Sequence, residues 1–228
     1  MQSINTLVIT IVVFSVAVLG GIAIQQTGTN ANDSTTLVSR STASSLNANV
    51  DWPPRLGQAY PDLTLTDIYG RKVQLSRFRG RTLLIEPIGM ACKACQAFAG
   101  GHHVGDFMGM KAQPGLKSFK EYVKVLGKGV NLNDSRIVSI QVLFFGPNSH
   151  RAPTLKEAQA WAQHYGSYSP ETIVLFADQG MIRPETKSII PGFQLVDRDF
   201  TLRCDAGNAP RQDVYRDLIP MIRQVIRN

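Results

Sequence analysis

Cysteine is scarce in this chain: 228 residues contain three, Cys92, Cys95 and Cys204. That excludes a disulfide-dense scaffold and leaves one close pair and one odd thiol, a usage that suits redox or metal chemistry. Histidine is also sparse, and none lies in 180–200. No internal repeat occurs, so a solenoid is excluded. Lys and Arg number 24 against 17 Asp and Glu, a net charge of +7. These basic residues are scattered, without the aromatic interleaving of single-strand binders, so the reading is a solvated basic surface and no nucleic-acid partner.

What is present begins with an apolar run, LVITIVVFSVAVLGGIAI at 7–24, carrying no charge over 18 residues. It is just long enough to cross a hydrocarbon core as a helix. Residues 25–50 are rich in Ser, Thr and Asn and cannot bury enough apolar surface to offset their ordering entropy. The expected organisation is a transmembrane anchor at 1–25, a flexible tether at 26–52 and a folded domain at 53–228. No Lys or Arg precedes the run and Arg40 follows it, so charge does not set the orientation. The domain is placed outside the cytoplasm, in a periplasm or similar space, because a tethered C-x-x-C unit has most to do in an oxidising compartment. The weak small-x-small site TNA at 29–31 keeps cleavage open; a retained anchor is the reading here.

Within the domain, Leu63, Leu65, Val73 and Leu75 alternate with polar residues around the turn IYGRK, which predicts a β-hairpin. RTLLIEPIG (81–89) predicts a short buried strand, and Cys92 to about Phe98 a helix. Residues 100–115 are broken by Gly and Pro. Leu116, Phe119, Tyr122, Val123 and Leu126 have helical spacing. RIVSIQVLFFG (136–146) predicts a central strand. Residues 154–166 predict a helix capped by Thr154 with Glu157 and stopped by Gly166. A strand at 171–180, a strand–turn–strand unit at 188–207 and a final helix follow. That helix carries Val214, Leu218, Ile222 and Val225 as its stripe and Pro220 as a predicted kink. Strands alternating with helices predict an α/β fold, a central mixed sheet flanked by helices.

The pattern resembles the thioredoxin superfamily, in particular the membrane-anchored thiol–disulfide oxidoreductases of the TlpA/ResA (redoxin) kind, with Sco-type copper proteins as near relatives. Four features carry it over residues 56–228. GQAYPDLTLTDIYGRKVQLSRFRGR is similar to the family's opening. CKAC follows the next strand at a helix start. Glu86 stands six residues before Cys92, where thioredoxins carry a buried acid. IIPGFQLVDRDFTL is similar to the cis-proline strand. The chain departs from the family in having Ala91 where Trp is usual, Lys-Ala between the cysteines, and a longer, Gly-rich 100–115.

The resemblance implies a thioredoxin-like fold and a redox-active disulfide with no other cofactor. At a helix start, Cys92 meets unsatisfied N–H groups and the positive end of the helix dipole, with the ammonium of Lys93 beside it. Each lowers a thiol's pKa. Cys92 is then the nucleophile and Cys95 the resolving thiol, with Glu86, its pKa raised by burial, as the base. The bland reading of Glu86 is a solvated acid at a strand end. A cis Pro191 sets the backbone of Ile190 against the sulfurs, where it can hydrogen-bond an extended partner; the alternative is an ordinary trans proline. The implied partners are protein disulfides or dithiols, such as those of cytochrome c or copper-site assembly.

Two other readings stay open. Met90 with the cysteines matches the G-M-x-C-x-x-C of small soft-metal-binding domains, and Cys92, Cys95, His102 and His103 are the candidate copper ligands of a Sco-like assembly factor. A non-catalytic binding module with a static disulfide is the other. Peroxiredoxin chemistry is disfavoured, because Pro87 lies five positions before Cys92 with no Thr or Ser between them. Cys204 reads as a buried inert thiol, with mixed-disulfide formation as the sharper option. Trp52 and Trp161 read as packing residues.

Overall fold

In the computed structural model, residues 46–207 and 212–227 are described. The anchor, and the tether up to residue 45, lie outside them. Among the described residues no helix is long and apolar enough to cross a membrane. In chain order the elements are β1 (Thr64–Asp67), β2 (Lys72–Gln74), β3 (Thr82–Gly89), α1 (Lys93–Phe98), α2 (Gly101–Val104), α3 (Phe119–Leu126), β4 (Ile137–Phe145), α4 (Leu155–Gly166), β5 (Ile173–Phe176), α5 (Pro184–Lys187), β6 (Phe193–Val196), β7 (Leu202–Ala206) and α6 (Ile219–Arg227).

The strands form one mixed sheet in the order β2-β1-β5-β4-β3-β6-β7. β3, β4 and β5 are mutually parallel, while β6 runs antiparallel to β3 and β7 to β6. The β1–β2 hairpin closes the far edge, antiparallel to β5. A parallel pair with helical crossovers, then an antiparallel hairpin beyond a cis proline, is the thioredoxin-like connectivity.

Every residue of β3 is buried, as a central strand covered on both faces requires. One face carries Leu83, Ile85, Val142 and Phe144 against Trp52, Leu63 and Phe200 from the N-terminal segment and the β6–β7 turn. The other carries Leu84, Phe193, Leu195 and Cys204 under α1, α3 and α6. Ile88 and Leu143 continue that second face beneath α1 and α4, against Cys95 and Trp161. The period of two along β3 therefore puts Glu86, between Leu84 and Ile88, on the helix-covered face.

Thr154 and Glu157 form the expected capping box at α4. Ser118 and Glu121 form a second at α3. Pro220 interrupts the final helix as expected. It lies inside one continuous helical run, Val214–Arg227, at the point where a π turn, Val214–Leu218, gives way to α6, so the irregularity expected at this proline is present as a change of helix type.

The folded domain starts earlier than its composition suggests. Asn47, inside the expected tether, is buried, and its amide accepts from Thr64 N (2.9 Å) and donates to Thr64 O (3.0 Å). It pairs the first residue of β1 as a neighbouring strand would. Trp52 is buried, donates to Thr186 Oγ1 at 2.9 Å and packs on Phe144 with ring centroids 5.3 Å apart. Trp52→Ala is expected to cost about 3–5 kcal/mol in urea denaturation of the full chain. A loss below about 1 kcal/mol would mean that this segment is not part of the core.

Candidate active site

β3 ends at Gly89, and the chain turns so that Cys92 becomes the N-cap of α1, with extended backbone (φ −77°, ψ 111°). A helix start leaves N–H groups without intrahelical partners. Here the cap acceptor is sulfur, and Cys95 N–H donates to Cys92 Sγ at 3.3 Å. Cys92 N–H in turn donates to Gly89 O at 2.9 Å. Both cysteines are free thiols; Cys92 is half-buried and Cys95 is buried.

The two sulfurs have opposite acidities. Cys92 is lowered from an ordinary 9.0 to about 7, chiefly because the Cys95 thiol hydrogen-bonds to it and also because of the Cys95 and Ala94 N–H groups, in spite of its partial burial. The expected push from Lys93 is not part of this balance. That side chain is exposed, and the lowering comes from hydrogen bonds rather than from an ammonium. Cys95 is held well above the ordinary thiol value by burial first, then by donating to Cys92 and by the charges of Cys92 and Glu86.

Glu86 is buried, not solvated at a strand end. Its Oε2 accepts from Gln141 Nε2 at 3.0 Å, and Gln141 Oε1 accepts from Trp161 Nε1 at 3.0 Å. Glu86 Oε1 has no hydrogen-bond partner among the described residues. Burial raises the carboxyl to about 8, the Gln141 bond opposes this, and charge on Cys92 adds to it. Gln141 and Trp161 thus belong to the site, Trp161 as more than a packing residue. The readable signal for Gln141 is an amide within the apolar run IVSIQVLFF, opposite Glu86 in the β3–β4 register.

The Ile190–Pro191 bond is cis. A β-carbon built at Gly89 would lie 3.8 Å from both Cys92 Cβ and Ile190 Cγ2, so Ile190 flanks the sulfur pair. Gly192 follows because a β-carbon there would come within 2.5 Å of Gly207 Cα. One expectation changes: Ile190 N–H already donates to Lys187 O at 3.3 Å, so it is not free for a partner chain. Met90 is buried and contributes its backbone. Its N–H bonds Phe145 O at 2.9 Å, and its carbonyl accepts from Gln96 Nε2 at 2.8 Å.

The candidate copper ligands do not assemble. His102 Nε2 lies 3.0 Å from Gln113 O, and His103 Nε2 lies 3.0 Å from Glu121 Oε2 with its ring stacked on Tyr168. Among the described residues, no group of three or more His, Cys, Asp and Glu is placed to hold a metal ion. Cys204 is buried on β7 within the α6 side of the core, and burial pushes its thiol up to about 12.

No family model matches the chain. No curated protein matches it either. Among solved structures it is similar to a candidate protein disulfide isomerase from Bacteroides thetaiotaomicron (15% identity, TM-score 0.49, 77% of this chain and 92% of that one). It is also similar to a candidate electron transfer protein from Aquifex aeolicus (15%, 0.49, 75% and 98%). A thiol:disulfide interchange protein from Bacteroides sp. is a third (14%, 0.47, 77% and 92%). What makes the chain thioredoxin-like is its own strand order, crossovers and cis proline.

Alkylation of the reduced protein at Cys92 should have a pH midpoint near 7, and Cys95→Ala should raise it by removing the donor thiol. A midpoint unmoved by that change would refute the hydrogen-bond origin of the shift. Glu86 makes a second prediction. It binds its proton more tightly folded than unfolded, so stability is full below about the ordinary 4.5 and falls as pH rises through about 8. Glu86→Gln should flatten that fall, by on the order of a few kcal/mol at the alkaline end, in denaturant titrations across the window.

Proposed function

We propose that the chain is a thiol–disulfide oxidoreductase. The observation that carries this reading is the sulfur pair itself: a half-buried, acidic Cys92 capping a helix, and beneath it a buried Cys95 whose proton is held tightly. Cys92 thiolate attacks a partner disulfide. The partner S–S bond breaks, a mixed disulfide forms and one partner thiolate leaves. Cys95 then gives its proton to the Glu86 carboxylate, and its sulfur attacks Cys92 Sγ. This forms the Cys92–Cys95 disulfide and releases the second partner thiol. Two electrons pass to the partner. A carboxyl near 8 can take and return a proton close to neutral pH.

On the strength of the apolar run at 7–24 and the polar segment after it, the domain works tethered to a membrane, on the extracytoplasmic side. The family resemblance supports the reductant direction, with protein disulfides of cytochrome c or copper-site assembly as the substrate class. Cis Pro191 and Ile190 border the position a partner chain would occupy.

Trapping is the test. The Cys95→Ser protein, expressed in full length, should retain a partner through a reducible bond at Cys92, and the Cys92→Ser, Cys95→Ser protein should retain none. If Cys95→Ser captures nothing, and the unmodified protein fails to reduce a model protein disulfide, the proposal is wrong.

A further inference from the structure

A cavity of about 50 Å³ lies under the C-terminal end of α1. Its wall includes Leu84 and Glu86 of β3, Ser139 of β4, and Phe98 and Ala99 from the end of the helix. The sulfurs stand at the other end, at the cap and first turn of α1. Glu86 is therefore approached from two sides, by the sulfur pair and by this cavity.

Two residues of the wall carry a buried oxygen without a hydrogen-bond partner among the described residues, Glu86 at Oε1 and Ser139 at Oγ. Leaving either group dry is costly, because it forfeits its hydrogen bonds to water with nothing in exchange. By that measure of volume, the space holds about three water molecules. Its outer wall includes Lys120 and Glu171, paired at 3.5 Å with side chains 43% and 24% exposed, so the cavity ends at solvent. A second cavity of about 160 Å³ shares Ala99, Gln141, Ser169 and Thr172 with the first and reaches Tyr165, whose hydroxyl is likewise buried and unpartnered.

We infer that this cavity is a hydrated route by which Glu86 exchanges its proton with solvent, from Oε1 past Ser139 to the Lys120–Glu171 mouth. The inference rests on the reading of Glu86 as the base for Cys95. When a partner is bound through Cys92, it covers the sulfur face. The proton taken from Cys95 then has to leave on another side, while the sulfur's electron pair enters the new S–S bond. The charged and titratable groups facing Glu86 are Cys92 and Cys95 on α1, Tyr165 on α4, and Lys120 with Glu171 at the mouth.

The test follows the two thiol releases when the reduced full-length protein meets an aromatic disulfide whose thiol is coloured. The first release reports Cys92 attack, the second Cys95 resolution. Ser139→Val removes the hydroxyl, and Ser139→Leu also fills the space; the valine variant keeps the test alive should the leucine variant not fold. Both should slow the second release about tenfold or more at pH 7. Both should increase its solvent deuterium isotope effect, while the first release and the Cys92 alkylation midpoint stay unchanged. Folded Ser139 variants with an unaltered second release, alongside a Glu86→Gln protein that is slowed, overturn the route and leave the base intact. A Glu86→Gln protein with an unaltered second release overturns the base, and the route with it.

Discussion

The site depends on a short set of hydrogen bonds that converge on one sulfur. Cys92 Sγ takes the place of a capping oxygen at α1, receiving the Cys95 N–H and the Cys95 thiol. Each bond favours the thiolate at Cys92, and the thiol that donates becomes harder to ionise for the same reason. One interaction therefore sets both acidities, one sulfur ionised near neutral pH and one that is not. The geometry needs a helix that begins at the end of a buried strand, which is what the β3–α1 junction supplies.

The sheet carries a row of polar groups where an apolar residue would pack more easily. Glu86, Gln141 and Trp161 form a buried chain of hydrogen bonds across β3, β4 and α4. Such chains are high-stakes, stabilising when complete and costly when one atom lacks a partner. Glu86 Oε1 is that atom. An apolar residue of similar size would be expected to give a more stable domain, so the acid makes sense as a chemical group held beside sulfur. Its charge and that of Cys92 oppose each other, which links proton uptake at the acid to the state of the sulfurs.

Much of this was legible in the sequence. Alternating Leu63, Leu65, Val73 and Leu75 marked the hairpin, and the largely apolar character of 82–89 and 137–145 marked the two central strands. The Ser118–Glu121 spacing was as readable as that of Thr154 and Glu157. What stayed hidden was set by contacts between distant segments. Asn47 looks like tether because its value lies in Thr64, a partner 17 residues further on. Lys93 looks like a neighbour of Cys92 in sequence, but its long stem leaves the charge in solvent while N–H and S–H groups lie at the sulfur. The loss of the Ile190 donor depends on α5, a four-residue helix that no periodicity can announce.

That last feature has a mechanical meaning. Two extended chains usually grip each other by exchanging a donor and an acceptor. Because Lys187 O already occupies the Ile190 amide, a chain laid beside the cis proline meets a platform with only one arm, the carbonyl. Under the proposed function, main-chain pairing would hold a partner weakly, and the side chains around the sulfurs would supply the selectivity. In the exchange proposed above, a loose grip would let a partner leave once the electrons have moved.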